Sequence, residues 1–237
     1  MTTRGFAKHG AIALALAMSC AAHAAESVRA GSYENPNGNL VVTGGAESLK
    51  FKIDAFGANG HTCSLDGDIH DNQAKLEGDE APCIVKFDAS ANGIGVSSNE
   101  ACRTYCGMRA QFDGMYFKPE PGCASDDRSR TRDAFKTIYA KKDYAAARGK
   151  LEPVLTQCAA LLSWLEKASI RNDLAVTLYH LPDRTGCLSV LEPLAADAAK
   201  TDDAIRENYP PTDADDYLPL VKAARTNLKL CQALPAQ

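Results

Sequence analysis

Between residues 31 and 118 the chain alternates apolar and polar side chains in short runs. Leu49, Phe51, Ile53 and Ala55 interleave with Lys50, Lys52 and Asp54, and Cys83, Val85, Phe87 and Ala89 with Ile84, Lys86 and Asp88. A period of two belongs to strands with one buried face. From Cys63 to His70 the same period places Cys63, Leu65 and Ile69 on the core side and Asp66, Asp68 and His70 on the other. Gly44-Gly45, Gly57-Ala58-Asn59-Gly60 and Asn92-Gly93 supply turns. Seven or eight strands with no helical segment among them predict an antiparallel meander that closes into a small barrel or sandwich. Gly31-Ser32-Tyr33 and Gly114-Met115-Tyr116 open and close the region and are expected on paired first and last strands.

Past Pro119-Glu120-Pro121-Gly122-Cys123 the apolar period lengthens to about 3.6, the helical value. Two segments 40 residues apart match: Tyr139, Asp143 and Leu151-Glu152-Pro153 align with Tyr179, Asp183 and Leu191-Glu192-Pro193. Each reads as a helix ending near the tyrosine, a turn with the aspartate as N-cap, and a second helix carrying Leu-Glu-Pro. Ala147, Leu151 and Leu155, and Cys187, Leu191 and Leu194, form the packing stripes, and a last helix over 216–231 caps the stack. Residues 133–197 resemble helical hairpins of the tetratricopeptide type, which implies stacked supersecondary units. The expected fold is α+β with two segregated domains: an antiparallel barrel or sandwich over about 28–118, and all-α hairpin repeats over about 130–232. The division is 1–24, 25–122 and 123–237.

Composition changes the setting. Arg4 and Lys8, the apolar run Ala11 to Met18, and Ala22-His23-Ala24 have the order of a cleavable signal peptide. Export to a bacterial periplasm is therefore expected. The alternative, a lipid anchor on Cys20, lacks a leucine among Ala17-Met18-Ser19. No segment reaches the ~20 apolar residues of a membrane helix. In an oxidising compartment Cys63, Cys83, Cys102, Cys106, Cys123, Cys158, Cys187 and Cys231 are expected to form disulfides rather than metal or redox sites. Both Cys63 and Cys83 face the core of strands, so that pair is predicted; Cys102–Cys106 and Cys187–Cys231 follow, leaving Cys123–Cys158 as a bridge between the domains. Sequence alone leaves 105 connectivities open.

Without the signal segment, 30 acids oppose 24 bases, and the whole excess lies in 25–123, where 14 acids meet 8 bases. No nucleic-acid partner is expected, because phosphate binding needs a basic footprint. The carboxylates cluster around one hairpin at Asp66, Asp68, Asp71, Glu77, Asp79 and Glu80, with His70 among them. That cluster is the candidate binding surface for a basic envelope protein. Neither a metal nor a cofactor is expected, and no nucleophile, metalloprotease or phosphate-loop motif points to an enzyme. An acidic, disulfide-bridged β-domain is similar in outline to small periplasmic lysozyme inhibitors, which implies inhibition of a basic cell-wall hydrolase. The alternative is an envelope scaffold that offers the helical hairpins as an interaction surface.

Overall fold

A computed structural model of the protein describes residues 1–2, 27–45 and 48–236. From residue 3 the expected signal segment, Cys20 included, lies outside the described residues. Eight strands form one antiparallel sheet: β1 Gly31–Asn35, β2 Gly38–Gly45, β3 Ser48–Phe56, β4 Thr62–Ile69, β5 Gln73–Leu76, β6 Cys83–Ser90, β7 Gly93–Ser98 and β8 Gly114–Phe117. Their spatial order is β4-β3-β2-β1-β8-β7-β6-β5. The chain thus runs out to one edge and returns along the other. The first and last strands meet in the middle through Glu34 and Phe117, as the two Gly-x-Tyr units foretell.

The remaining edges, β4 and β5, are consecutive strands joined by a tight turn. Asp71 and Asn72 both take left-handed φ there, 51° and 58°, as a two-residue hairpin turn requires. Only His70 and Gln73 bridge the edges, so the barrel is nearly closed. Inner-phase residues fill it: Leu40, Ile53, Val85, Ile94 and Tyr116 are buried, and Phe51 meets Phe87 edge to face at 5.0 Å.

Six helices follow: α1 Ser125–Ala140, α2 Tyr144–Gln157, α3 Trp164–His180, α4 Arg184–Ala198, α5 Asp202–Asn208 and α6 Pro211–Ala233. The 40-residue repeat is two hairpins, α1/α2 and α3/α4. Asp143 and Asp183 cap α2 and α4, accepting from the backbone N–H of Ala146 and Gly186. In the first hairpin the third stripe residue is Val154, the true counterpart of Leu194, whereas Leu155 is only partly buried. The opening helix starts earlier than expected, and α6 begins at Pro211 rather than 216 because a proline is well suited to a helix's first turn.

Two expected disulfides are corrected. The bonds are Cys63–Cys106 and Cys83–Cys102, not Cys63–Cys83 and Cys102–Cys106. Facing the core does not select a partner, since every strand of a barrel sends residues inward. What selects it is a 3-10 helix at Glu100–Tyr105. One cysteine sits in this helix and the other at its end; Cys83 of β6 holds the first, and Cys63 of β4, opposite Cys106 in an isolated antiparallel bridge, holds the second.

Cys123–Cys158 and Cys187–Cys231 form as expected. Yet Cys123 joins the core of α1 and α2 beside Cys158, so this bond staples the linker to the helices and is not a bridge between domains. Each domain closes two disulfides of its own, and the contact between domains is noncovalent.

That contact is polar and specific. Glu34 of β1 and Arg128 of α1 are both buried, and the guanidinium Nη1 donates to Glu34 Oε2 at 2.9 Å and to the Cys123 carbonyl at 2.6 Å. Ser125 N–H donates to the other oxygen of Glu34 at 2.9 Å. On a second front, Asn59 N–H donates to Asp213 Oδ1 while Thr212 N–H donates to Asn59 Oδ1, each at 3.1 Å. This reciprocal clasp fixes the start of α6 against the β3–β4 loop.

Candidate functional site

All seven residues of the acidic candidate surface are exposed: Asp66, Asp68, His70, Asp71, Glu77, Asp79 and Glu80. They are spread over β4, the β4–β5 turn and the loop before β6. Asp66 and Asp68 project from β4 directly across from Lys52 and Lys50 of β3, with Lys50 Nζ 3.5 Å from Asp68. Cross-strand lysines therefore offset part of their field. Lys52 turns to Asp54 at 3.0 Å, and hydrogen bonds from Ser64 and Lys52 hold the Asp54 carboxyl below the usual range. His70 and Asp71 sit at the hairpin turn. Glu77 and Glu80 border a shallow hollow in the loop before β6 with Lys75 and Pro82.

A different place gathers the features of a binding site. Five large apolar side chains are exposed among the described residues: Met1, Val41, Phe56, Met108 and Trp164. Three of them, Phe56 at 58 %, Met108 at 79 % and Trp164 at 41 % exposure, line a single cleft of about 570 Å³ between barrel and helices. Arg103, Arg109, Asn37, Gln111 and Asp213 add polar groups to its walls. Isolated exposed apolar residues are ordinary on a protein surface; convergence of several is not.

Each wall has a reason to be where it is. Phe56 ends β3 on the outer, polar phase of that strand, so the pleat points it away from the barrel core. Gly57 follows, and a Cβ there would fall 2.1 Å from the Arg109 carbonyl oxygen. Absence of a side chain at Gly57 is what lets the Met108-Arg109 turn lie against Phe56. That turn is fixed from the other side by the Cys63–Cys106 bond and by Gly107 N–H donating to the Thr62 carbonyl at 2.8 Å.

Trp164 is the first residue of α3, directly after a capping box in which Ser163 and Glu166 satisfy each other's backbone N–H. Glu166 also receives Arg128 Nε at 3.4 Å, which links the cap to the domain contact. One face of the indole stacks on Tyr209, with centroids 5.5 Å apart and planes at 9°, and Tyr217 meets it edge-on at 4.8 Å. Both phenols donate to Asp197 Oδ2, at 2.8 and 2.9 Å. Burial alone would raise the Asp197 carboxyl, but hydrogen bonds from Lys200, Tyr209 and Tyr217 outweigh it and hold the group low. Burial first, and then Asp197, push the Tyr209 phenol up to about 12. The aromatic wall is held from behind.

Chemically the cleft offers apolar contact together with guanidinium and amide hydrogen-bond donors. Among the described residues no cluster of His, Cys, Asp or Glu is arranged to hold a metal ion, and no helix is long and apolar enough to cross a membrane. Among the described residues Asp173 is the one carboxyl held above its ordinary value, by burial and against the opposing pull of Arg132 and Lys136; it lies on α3, outside the residues that line the cleft.

Sequence reasoning passed over the cleft because its walls come from segments far apart in the chain, around Asn37, Phe56, Met108, Trp164 and Asp213. One signal was legible: Phe56 is an apolar residue on the polar phase of an otherwise regular strand. Comparison with protein-family models, with curated proteins and with solved structures finds no match.

Proposed function

We propose that this protein is a noncatalytic binding module that holds a segment of another protein in the cleft between its two domains. One observation carries the reading: Phe56, Met108 and Trp164 converge with Arg103 and Arg109 at a junction of two domains. Trp, Phe, Met and Arg are enriched at protein interfaces, Trp and Arg among their hot spots, and domain junctions are favoured places for binding clefts. The four disulfides fit an oxidising, extracytoplasmic setting, which supports an exported protein that meets its partner in the cell envelope.

Photo-cross-linking tests this. Benzoylphenylalanine placed at position 108 of the exported protein is expected to capture a defined partner, and the same group at position 66 is not. Capture from position 66 alone would move the interface to the acidic hairpin, as an inhibitor of a basic hydrolase requires.

A further inference from the structure

The charge inside the cleft is opposite to that of the domain supplying most of its lining. Residues 25–122 contain only three arginines, Arg29, Arg103 and Arg109, and two of them stand at the cleft. Neither has a carboxylate partner among the described residues. Arg103 donates only to the Met108 carbonyl, at 3.3 Å, and Arg109 makes no hydrogen bond or ion pair there.

The helical domain treats its arginines differently. Arg128, Arg130, Arg148, Arg206 and Arg225 each meet a carboxylate. Arg132, Arg171 and Arg184 donate to Ser169 or to the Val190 and Leu234 carbonyls. The one carboxylate in the cleft, Asp213, already accepts from Asn59. Two guanidinium groups with unused donors therefore flank an apolar surface. A guanidinium presents a planar fork that matches a carboxylate in two parallel hydrogen bonds.

We infer that the cleft takes an acidic segment of a partner protein, in which a large apolar side chain sits between carboxylates. The apolar anchor covers Met108, Phe56 and the exposed part of Trp164, and the carboxylates reach Arg103 and Arg109. Exposure argues for a protein segment rather than a small molecule: a cleft that encloses a small ligand buries most of it, whereas Met108 and Phe56 stand more than half exposed at the rim. The inference rests on the cleft being the binding surface.

Trp164 is the only tryptophan in the chain, so its emission reports occupancy of the cleft directly. The full oxidised protein is titrated with three acetylated, amidated pentapeptides, each with a central leucine flanked by glutamates, serines or lysines. The glutamate peptide is expected to shift Trp164 emission and to bind about tenfold tighter than the serine peptide, the equivalent of one charge-assisted contact. The lysine peptide is expected to bind weakest. Arg109→Gln should remove about that tenfold advantage and flatten the dependence on salt, leaving the serine peptide unchanged. Equal binding of all three peptides, weakened alike by Met108→Ser, would overturn the acidic preference and leave the cleft standing. If no peptide moves Trp164 and Met108→Ser leaves partner capture intact, the cleft reading itself fails. A response to an N-acetylglucosamine trimer with none to the peptides would replace the protein segment by a glycan.

Discussion

Single residues in this protein often serve two neighbours at once. Glu166 closes the cap of α3 with one oxygen and holds Arg128 with the other. Asp197 receives two phenols and a lysine, which gives the aromatic wall a pH dependence with a definite sign. The Tyr209 phenol is raised in the fold to about 12, against about 10 for an exposed tyrosine. Its contribution is complete below pH 10 and is lost as pH climbs through about 12, because the unfolded chain gives up that proton first. Asp197 acts in the opposite sense: its lowered pKa stabilises the fold above the ordinary carboxylate range, and that share is lost as pH falls through it. Urea midpoints are therefore expected to decline between pH 10 and 12, and the combined Tyr209→Phe and Tyr217→Phe variant should lose part of that decline. Trp164 emission, measured along the same series, should follow the alkaline change because its ring lies on Tyr209.

At the scale of elements, the helix caps were legible to the residue. Asp143 was placed by a repeat and a propensity, and it accepts from Ala146 N–H at 3.1 Å. Asp143→Ala is expected to cost about 1 kcal/mol in a urea titration, while the same change at Asp183 should cost more, since Asp183 also lies 3.6 Å from Arg148. Strands were legible for a similar reason, because alternation along β3, β4 and β6 is a local property that burial imposes directly. Disulfide partners in the barrel were not. Cys63 and Cys83 share the inward phase with every other core residue, and only the placement of the helix at Glu100–Tyr105 decides between them. The cleft was hidden for the same physical reason: Phe56, Met108 and Trp164 become neighbours through tertiary packing, which no local period records.

On the scale of the whole molecule, two domains with separate cores and separate disulfides act through a noncovalent joint. The joint is also the floor plan of the cleft, because Arg128 reaches both Glu34 of the barrel and Glu166 beside Trp164. Arg128→Met strands a buried carboxylate on Glu34 and is expected to cost about 3 kcal/mol or more. Adding Glu34→Gln removes the stranded charge, keeps an acceptor for Ser125 N–H, and should recover part of the loss. If the joint couples the domains, wild-type unfolding by urea gives coincident transitions from Trp164 emission and from circular dichroism in the β region. In Arg128→Met the two probes are expected to separate.

The nesting of the barrel's bonds has a consequence for biogenesis. Cys83–Cys102 lies wholly inside the loop closed by Cys63–Cys106. A chain threaded across a membrane from its amino end presents Cys63 and Cys83 to an oxidant before Cys102 and Cys106 arrive. Pairing in order of arrival yields Cys63–Cys83, a bond the mature barrel does not contain, and release from it needs attack by another thiolate. Maturation by that route is expected to need an enzyme that reshuffles disulfides, not merely one that makes them. Secretion by cells lacking such an isomerase is expected to leave a large fraction with Cys63 joined to Cys83, visible by peptide mapping without reductant. Cys123–Cys158 and Cys187–Cys231, each joining cysteines that emerge consecutively once the barrel pairs are set aside, should form correctly in the same cells.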